Sequence, residues 1–141
     1  MCIRDSYNGS MTLLDGDTGK TVLTFDRGHT MPIMCMAFSF SCKQVATGSS
    51  DNTVRVWDVK TGTCLKTLEG HNSAVTGVAF SPDDARLISF SMDSSIRWWD
   101  VEAGTTTTQT AERKDSLLRH VVWSADGAFI VLGLDLSLIH I

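Results

Sequence analysis

Two groups of side chains in this chain carry the functional groups of a hydrolytic triad. His29, Thr47 and Asp51 form one, and His71, Ser89 and Asp93 the other; each combines an imidazole, a hydroxyl and a carboxylate. In a hydrolase the imidazole takes the hydroxyl proton and the carboxylate orients the imidazole. That chemistry also needs an exposed nucleophile and donors aimed at an oxyanion. Here every member recurs at one offset of 42 residues (71 − 29, 89 − 47, 93 − 51), and a tryptophan closes each group, Trp57 and Trp99. A tandem copy with an indole attached favours a structural task, so no catalytic residue is assigned. Zinc held by Cys35 and His29 is the other chemistry these residue types allow. Cys35 lies in an apolar stretch with no Cys-x-x-Cys partner, so no metal site is assigned. Cys35, Cys42 and Cys64 read as buried apolar filler.

The elements that must position these groups read as strands. Residues 33–38, 43–47, 53–59 and 63–68 are rich in β-branched and apolar types between turn signals, and 75–80, 86–90, 95–101 and 105–110 form the matching set. Ser81-Pro82-Asp83-Asp84 puts proline at the second turn position, Ser50-Asp51-Asn52 is a tight polar hairpin, and Gly62 and Gly104 supply positive φ. Strand starts roughly ten residues apart suit antiparallel meanders. No stretch reads as a helix.

Residues 27–58 are thus repeated by 69–100, with Gly28-His29 recurring as Gly70-His71 and Trp57-Asp58 as Trp99-Asp100. A period in the forties, opened by Gly-His and closed by Trp-Asp, marks a four-stranded propeller blade. On these residues the chain resembles the WD-repeat β-propeller family over nearly all its length. The implied fold is all-β, a partial and open propeller with two complete blades, 27–68 and 69–110, and two incomplete ones. Asn8, Leu14, Thr18 and Gly19 repeat Asp51, Trp57, Thr61 and Gly62 at an offset of 43, so 7–26 reads as strands c and d of a preceding blade. Residues 117–123 repeat 74–80, so 111–135 reads as strands a and b of a following one.

The resemblance also implies roles. The indole N–H of Trp57 would donate to Thr47, whose hydroxyl bonds His29, which bonds Asp51; Trp99, Ser89, His71 and Asp93 would repeat the arrangement. Such a network satisfies every buried donor and acceptor it contains. Leu14, Asn8 and Leu132 depart from the pattern, so only the two complete blades are expected to carry it. Phe90 stands at the place of Gly48, where core filling is the available reading. Partners of the family often meet the top face, which corresponds here to Pro32, Met34, Ser50, Ala74, Thr76 and Met92, with Tyr7, Leu117 and Arg119 from the incomplete blades. Met34, Met92 and Arg119 are the expected anchors, and strand alternation places Met36 in the core.

The implied function is a non-catalytic scaffold that binds protein partners and takes no cofactor. Two alternatives stay open: a substrate receptor of a ubiquitin ligase, and the non-catalytic propeller of a larger multidomain enzyme. Receptors of the first kind often carry Trp-Asp-x-Arg, whereas Lys60 and Glu102 occupy the arginine position here.

A net charge of −4 with no basic stripe argues against nucleic acid, and no apolar run approaches membrane-spanning length. An intracellular setting, cytoplasmic or nuclear, is expected. The two ends read differently from the rest. Residues 1–6 (MCIRDS) and 136–141 (LSLIHI) can be encoded by reverse-complementary DNA strings, as a translated library adapter would be. They are therefore expected to stand outside the fold, leaving 7–135 as a fragment of a larger protein with open sheet edges.

Overall fold

The computed structural model describes residues 2–5, 9–25, 28–110 and 118–134. All regular structure among them is strand. β1 (Cys2–Asp5), β2 (Met11–Leu14) and β3 (Thr21–Phe25) make a three-stranded sheet. β4 (Ile33–Phe38), β5 (Gln44–Ser49), β6 (Val54–Asp58) and β7 (Cys64–Leu68) make a four-stranded one. β8 (Val75–Phe80), β9 (Arg86–Ser91), β10 (Ser95–Asp100) and β11 (Thr106–Thr110) make a second. β12 (Leu118–Trp123) and β13 (Ile130–Leu134) pair alone among the described residues. Each strand pairs antiparallel with its sequence neighbour, so every sheet is a meander.

Local chemistry sets the meander. After β2, β6 and β10 the carboxylates of Asp15, Asp58 and Asp100 accept the amide N–H of Thr18, Thr61 and Ala103 at 2.8, 2.8 and 2.7 Å. Gly62 and Gly104 then turn the chain with φ of 73° and 71°, a region costly for a residue with a Cβ. The acidic half of each Trp-Asp pair is therefore a turn cap.

The apolar core lies in the seams between sheets. Met11, Leu13 and Phe25 pack on Ile33, Val45 and Trp57, with the rings of Phe25 and Trp57 edge to face at 5.8 Å. Ala46, Val54, Val56 and Leu68 of the next sheet meet Val75, Val78, Phe80, Leu87 and Trp99. Ala79, Ile88, Phe90 and Ile96 meet Trp123. Strands β4, β8 and β12 neighbour one another in that order. The sheets thus stack as successive propeller blades in an open series, each burying a face that it could not bury alone.

Three expectations need correction or completion. Residues 2–5, expected outside the fold, pair with β2, and the Arg4↔Thr12 register repeats Thr47↔Arg55 of the first full blade. An open strand edge offers backbone donors and acceptors that any extended segment can satisfy, whatever its side chains. Cys42 and Cys64, expected to be buried, are exposed: Cys42 sits in the turn after β4 with φ of 57°, and Cys64 opens the outermost strand of its blade. Of these three thiols Cys35 alone is covered, and burial pushes it up to about 12. The place of Phe90 has a physical cause. It pairs across the sheet with Gly77, whose added Cβ would run into the Phe90 ring, while in the preceding blade Cys35 pairs with Gly48. Large and small residues have changed strands between the two blades.

Asn8, the loop 111–115 and the outer parts of the expected half-blades lie outside the described residues. One stitch between blades had no sequence signal. Asp84, in the turn after β8 with φ of 59°, accepts the amide N–H groups of Phe40 and Ser41 at 2.6 and 3.0 Å. It ties the corresponding turns of neighbouring blades together.

Candidate functional site

In the first full blade, β5 supplies Thr47, β6 supplies Trp57, the loop before β4 supplies His29, and the turn after β5 supplies Asp51. The Trp57 indole donates to Thr47 Oγ1 at 2.9 Å, Thr47 Oγ1 lies 2.7 Å from His29 Nε2, and His29 Nδ1 lies 2.9 Å from Asp51 Oδ2. In the second blade the Trp99 indole donates to Ser89 Oγ at 2.7 Å, and Ser89 Oγ lies 2.7 Å from His71 Nε2. His71 Nδ1 lies 3.3 Å from Asp93 Oδ2 and 2.9 Å from Ser95 Oγ.

Donor accounting orders the protons. An ionised carboxylate only accepts, so His29 Nδ1 carries the hydrogen and Nε2 of the neutral ring accepts from Thr47. Thr47 in turn accepts from the indole, and every member is used once as donor or acceptor in one direction. A protonated imidazole would place a second donor against the Thr47 oxygen. Both ring nitrogens are engaged, which leaves neither for a metal. Thr47 and Ser89 are fully buried, so neither hydroxyl can reach a substrate.

Hydroxyls outside the expected tetrads complete the sites. Thr53 Oγ1 donates to Asp51 Oδ1 at 2.6 Å and lies 3.2 Å from His29 Nδ1; Ser95 Oγ stands in the same relation to Asp93 and His71. Ser49 Oγ donates to the Pro32 carbonyl at 2.9 Å and Ser91 Oγ to the Ser73 carbonyl at 2.8 Å, fastening the loop before each first strand. The available signal was the 42-residue offset of Ser95 from Thr53 and of Ser91 from Ser49, hydroxyl for hydroxyl. Gly28 belongs here too, because a Cβ on it would overlap the Trp57 ring.

Burial pushes the His29 and His71 imidazoles below their usual range, against the opposing pull of Asp51 and Asp93. Burial works to raise Asp93, but Ser95 and the Asn72 amide outweigh it and hold the carboxyl at about 2. Asp51 is lowered likewise, burial being outweighed by Thr53 and His29. The unfolded imidazoles take a proton near pH ~6.5 and the folded ones only below that. Stability contributed by the neutral rings is therefore complete above about pH 6.5 and falls as pH drops through the folded values. A second loss begins below the ordinary carboxyl value of 3.8 and runs down toward the depressed values of Asp51 and Asp93. The urea midpoint should accordingly be level down to about pH 6.5 and decline below it; a level midpoint through pH ~5 contradicts the neutral assignment.

The expected partner-binding residues fall into connected pairs. The amide of Ser50 donates to the Pro32 carbonyl and that of Met92 to the Ala74 carbonyl, both at 3.0 Å, so each hairpin turn lies against the start of its blade's first strand. Met34 and Met92 are 50% and 55% exposed, and Met31 is exposed too. Met36 packs against the core. Pro32, Ser50, Ala74 and Thr76 are half-buried. Arg119 takes a position in β12, while Tyr7 and Leu117 lie outside the described residues.

Comparison with known proteins agrees with this architecture. The family profile described as WD domain, G-beta repeat matches residues 19–58 and 62–100. Among similar proteins, THO complex subunit 6 of Arabidopsis thaliana is 41% identical over 54 residues, 38% of this chain and 14% of that protein. A probable E3 ubiquitin ligase complex SCF subunit sconB of Arthroderma benhamiae is 42% identical over 50 residues, 36% of this chain and 7% of that protein. The Notchless protein homolog of Arabidopsis thaliana is 50% identical over 40 residues, 28% of this chain and 8% of that protein. The chain thus spans a small part of the relatives it matches.

Proposed function

This chain belongs to the WD domain, G-beta repeat family, and from that premise we propose that it is a non-catalytic interaction scaffold whose polar tetrads hold shape. His29, Thr47, Asp51 and Trp57, with His71, Ser89, Asp93 and Trp99, act as latches inside their blades. Recognition falls to the face where the hairpin turns meet the starts of the first strands. The observation that carries this reading is the pair of half-exposed methionines, Met34 and Met92, beside hairpin turns whose Ser50 and Met92 amides are hydrogen-bonded to the carbonyls of Pro32 and Ala74. Methionine is flexible and polarizable, so on a rigid frame it adapts to apolar side chains of a partner segment. Arg119 adds a cation for a carboxylate or a backbone carbonyl. Pro32, Ser50, Ala74, Thr76, Tyr7 and Leu117 border these anchors.

The test is a Met34→Ala, Met92→Ala, Arg119→Ala triple variant in quantitative affinity capture beside the unaltered chain. Co-purifying proteins should drop at least tenfold while the melting temperature holds. Equal recovery with equal folding removes the assignment.

A second reading, the substrate receptor of a ubiquitin ligase, is supported by the similarity to sconB over 50 residues. Lys60 and Glu102 in place of arginine weigh against it. Recovery of ligase subunits in the same capture, unaffected by the triple variant, would favour it. Among the described residues no helix is long and apolar enough to cross a membrane, and the protein contacts proposed here fit an intracellular protein.

A further inference from the structure

The seam between the two complete blades is not filled along its whole length. A groove of about 560 Å³ opens between the outer strands β6 and β7 of one blade and the turn after β8 and the end of β10 of the next. Ligand sites span roughly 300–1,000 Å³, so its size is ample for a few side chains. Both walls belong to complete four-stranded sheets, which makes the groove a property of the blade pair itself. Strand β9 runs from the turn of Asp84 to that of Met92, so the groove lies at the end of the strands away from Met92.

The preceding seam shows what fits such a place. There Leu23 of β3 lies over Gly62, where an added Cβ would be 3.2 Å from its Cδ2, and Leu23 and Val59 both pack against the core of that seam. The repeat offsets carry Leu23 to Lys66, Val59 to Val101 and Gly62 to Gly104. A lysine holds its ammonium in water and does not fill a seam. Among the described residues nothing comes within 4 Å of a Cβ added to Gly104. The exchange leaves Val56 and Val101 as an apolar floor, with Leu65, 45% exposed, at the rim.

The charges change together with the plug. Asp83, Asp100 and Glu102 line one wall, where the preceding blade has Ser41, Asp58 and Lys60. Asp83 and Asp100 accept their turn hydrogen bonds through Oδ1, which leaves the second oxygen of each, and Glu102, to face a cation. Asp84 is spent on the amides of Phe40 and Ser41 and fixes the two turns relative to each other. Lys43 and Lys66 stand on the opposite wall. The ion pairs among the described residues are those of the two histidines, so neither lysine is paired with the carboxylates across the groove.

We propose that this groove is a second docking site, which takes a short extended segment of a partner protein. A leucine side chain of the segment enters the place that Leu23 fills in the preceding seam, and flanking arginines reach Asp83, Asp100 and Glu102. Guanidinium pairs with carboxylate through two parallel hydrogen bonds and keeps its charge when partly desolvated. Lys43 and Lys66 meet carbonyl groups of the segment's backbone. The groove shares no residue with the recognition face, so it stands or falls separately from it.

The probe is a fluorescein-labelled heptapeptide with a central leucine, an arginine on each side of it and serine elsewhere, titrated against the full chain by fluorescence anisotropy. Saturable binding is expected, weaker by at least about tenfold when glycine replaces the leucine and by at least about fivefold when glutamates replace the arginines. Lys66→Leu copies the preceding seam and should plug the groove, lowering affinity at least about tenfold with circular dichroism unchanged. Glu102→Lys copies Lys60, alters an exposed side chain alone, and should weaken binding about fivefold. A Met34→Ala, Met92→Ala chain should bind the peptide as the unaltered chain does. Absence of saturation up to about 1 mM peptide overturns the proposal. So does binding that survives both Lys66→Leu and Glu102→Lys, equal binding of the glycine or glutamate peptide, or loss of binding in the double methionine variant. Self-association in light scattering that Lys66→Leu abolishes would make a second copy the occupant, and the assignment to a partner segment would fall.

Discussion

Replacing Trp99 with alanine is expected to cost about 3–5 kcal/mol of folding stability, a large share of what a chain of this size possesses. The indole is fully buried in the seam between the two complete blades, where it meets Val75, Phe80 and Leu87. Truncation removes that packing and also takes from Ser89 the N–H donor at 2.7 Å. Trp99→Phe separates the two contributions. It keeps most of the ring but leaves Ser89 without its donor, for which a loss of about 1–3 kcal/mol is expected. Urea midpoints at constant slope measure both. A Trp99→Ala loss below about 1 kcal/mol would mean that the seam does not hold the blades together.

The exchange of large and small residues between strands gives the second large effect. Gly77→Cys alone drives a side chain into the Phe90 ring, and Phe90→Gly alone opens a cavity and frees backbone in β9. Each should destabilise by at least about 3 kcal/mol. The double variant copies the Cys35 and Gly48 pair of the preceding blade and should lose less than the sum of the singles by about 1–3 kcal/mol. Recovery stays incomplete, because Phe90 also packs toward Trp123 across the next seam. Strict additivity would show that the two positions do not share their space.

Much of this was legible in the sequence because a repeat multiplies each local signal. Turn chemistry recurs with the strands, so the glycines at 62 and 104 and the order of strands within each blade could be placed, whereas the capping by Asp58 and Asp100 came only from the structure. The hydrogen-bonding residues were legible for the same reason: a histidine, a hydroxyl, an aspartate and a tryptophan recur at one offset. Strand ends were less sharp. β5 runs on to Ser49, because Ser49 and Thr53 close the hairpin around Asp51 through their backbone.

What escaped lies in contacts between blades. Asp84 reads in the sequence as an ordinary turn residue; its bond to Phe40 and Ser41 depends on how two turns meet, and no local pattern encodes that. The exposure of Cys42 and Cys64 was missed because thiol chemistry suggests burial, while position in a turn and on an outer strand decides it. Strand β1 was missed for the opposite reason. Pairing at an open edge is a backbone property, so residues without any repeat equivalent can occupy it.

The sequence by itself determined the blade: its four strands, its turns and the polar residues that latch it, since these are set by contacts within about forty residues that recur in register. Only the tertiary structure decided the seams. Which face of each sheet is covered, why Phe90 requires Gly77, and which faces remain open depend on side chains brought together from different blades, and their fit is a matter of shape that periodicity does not record.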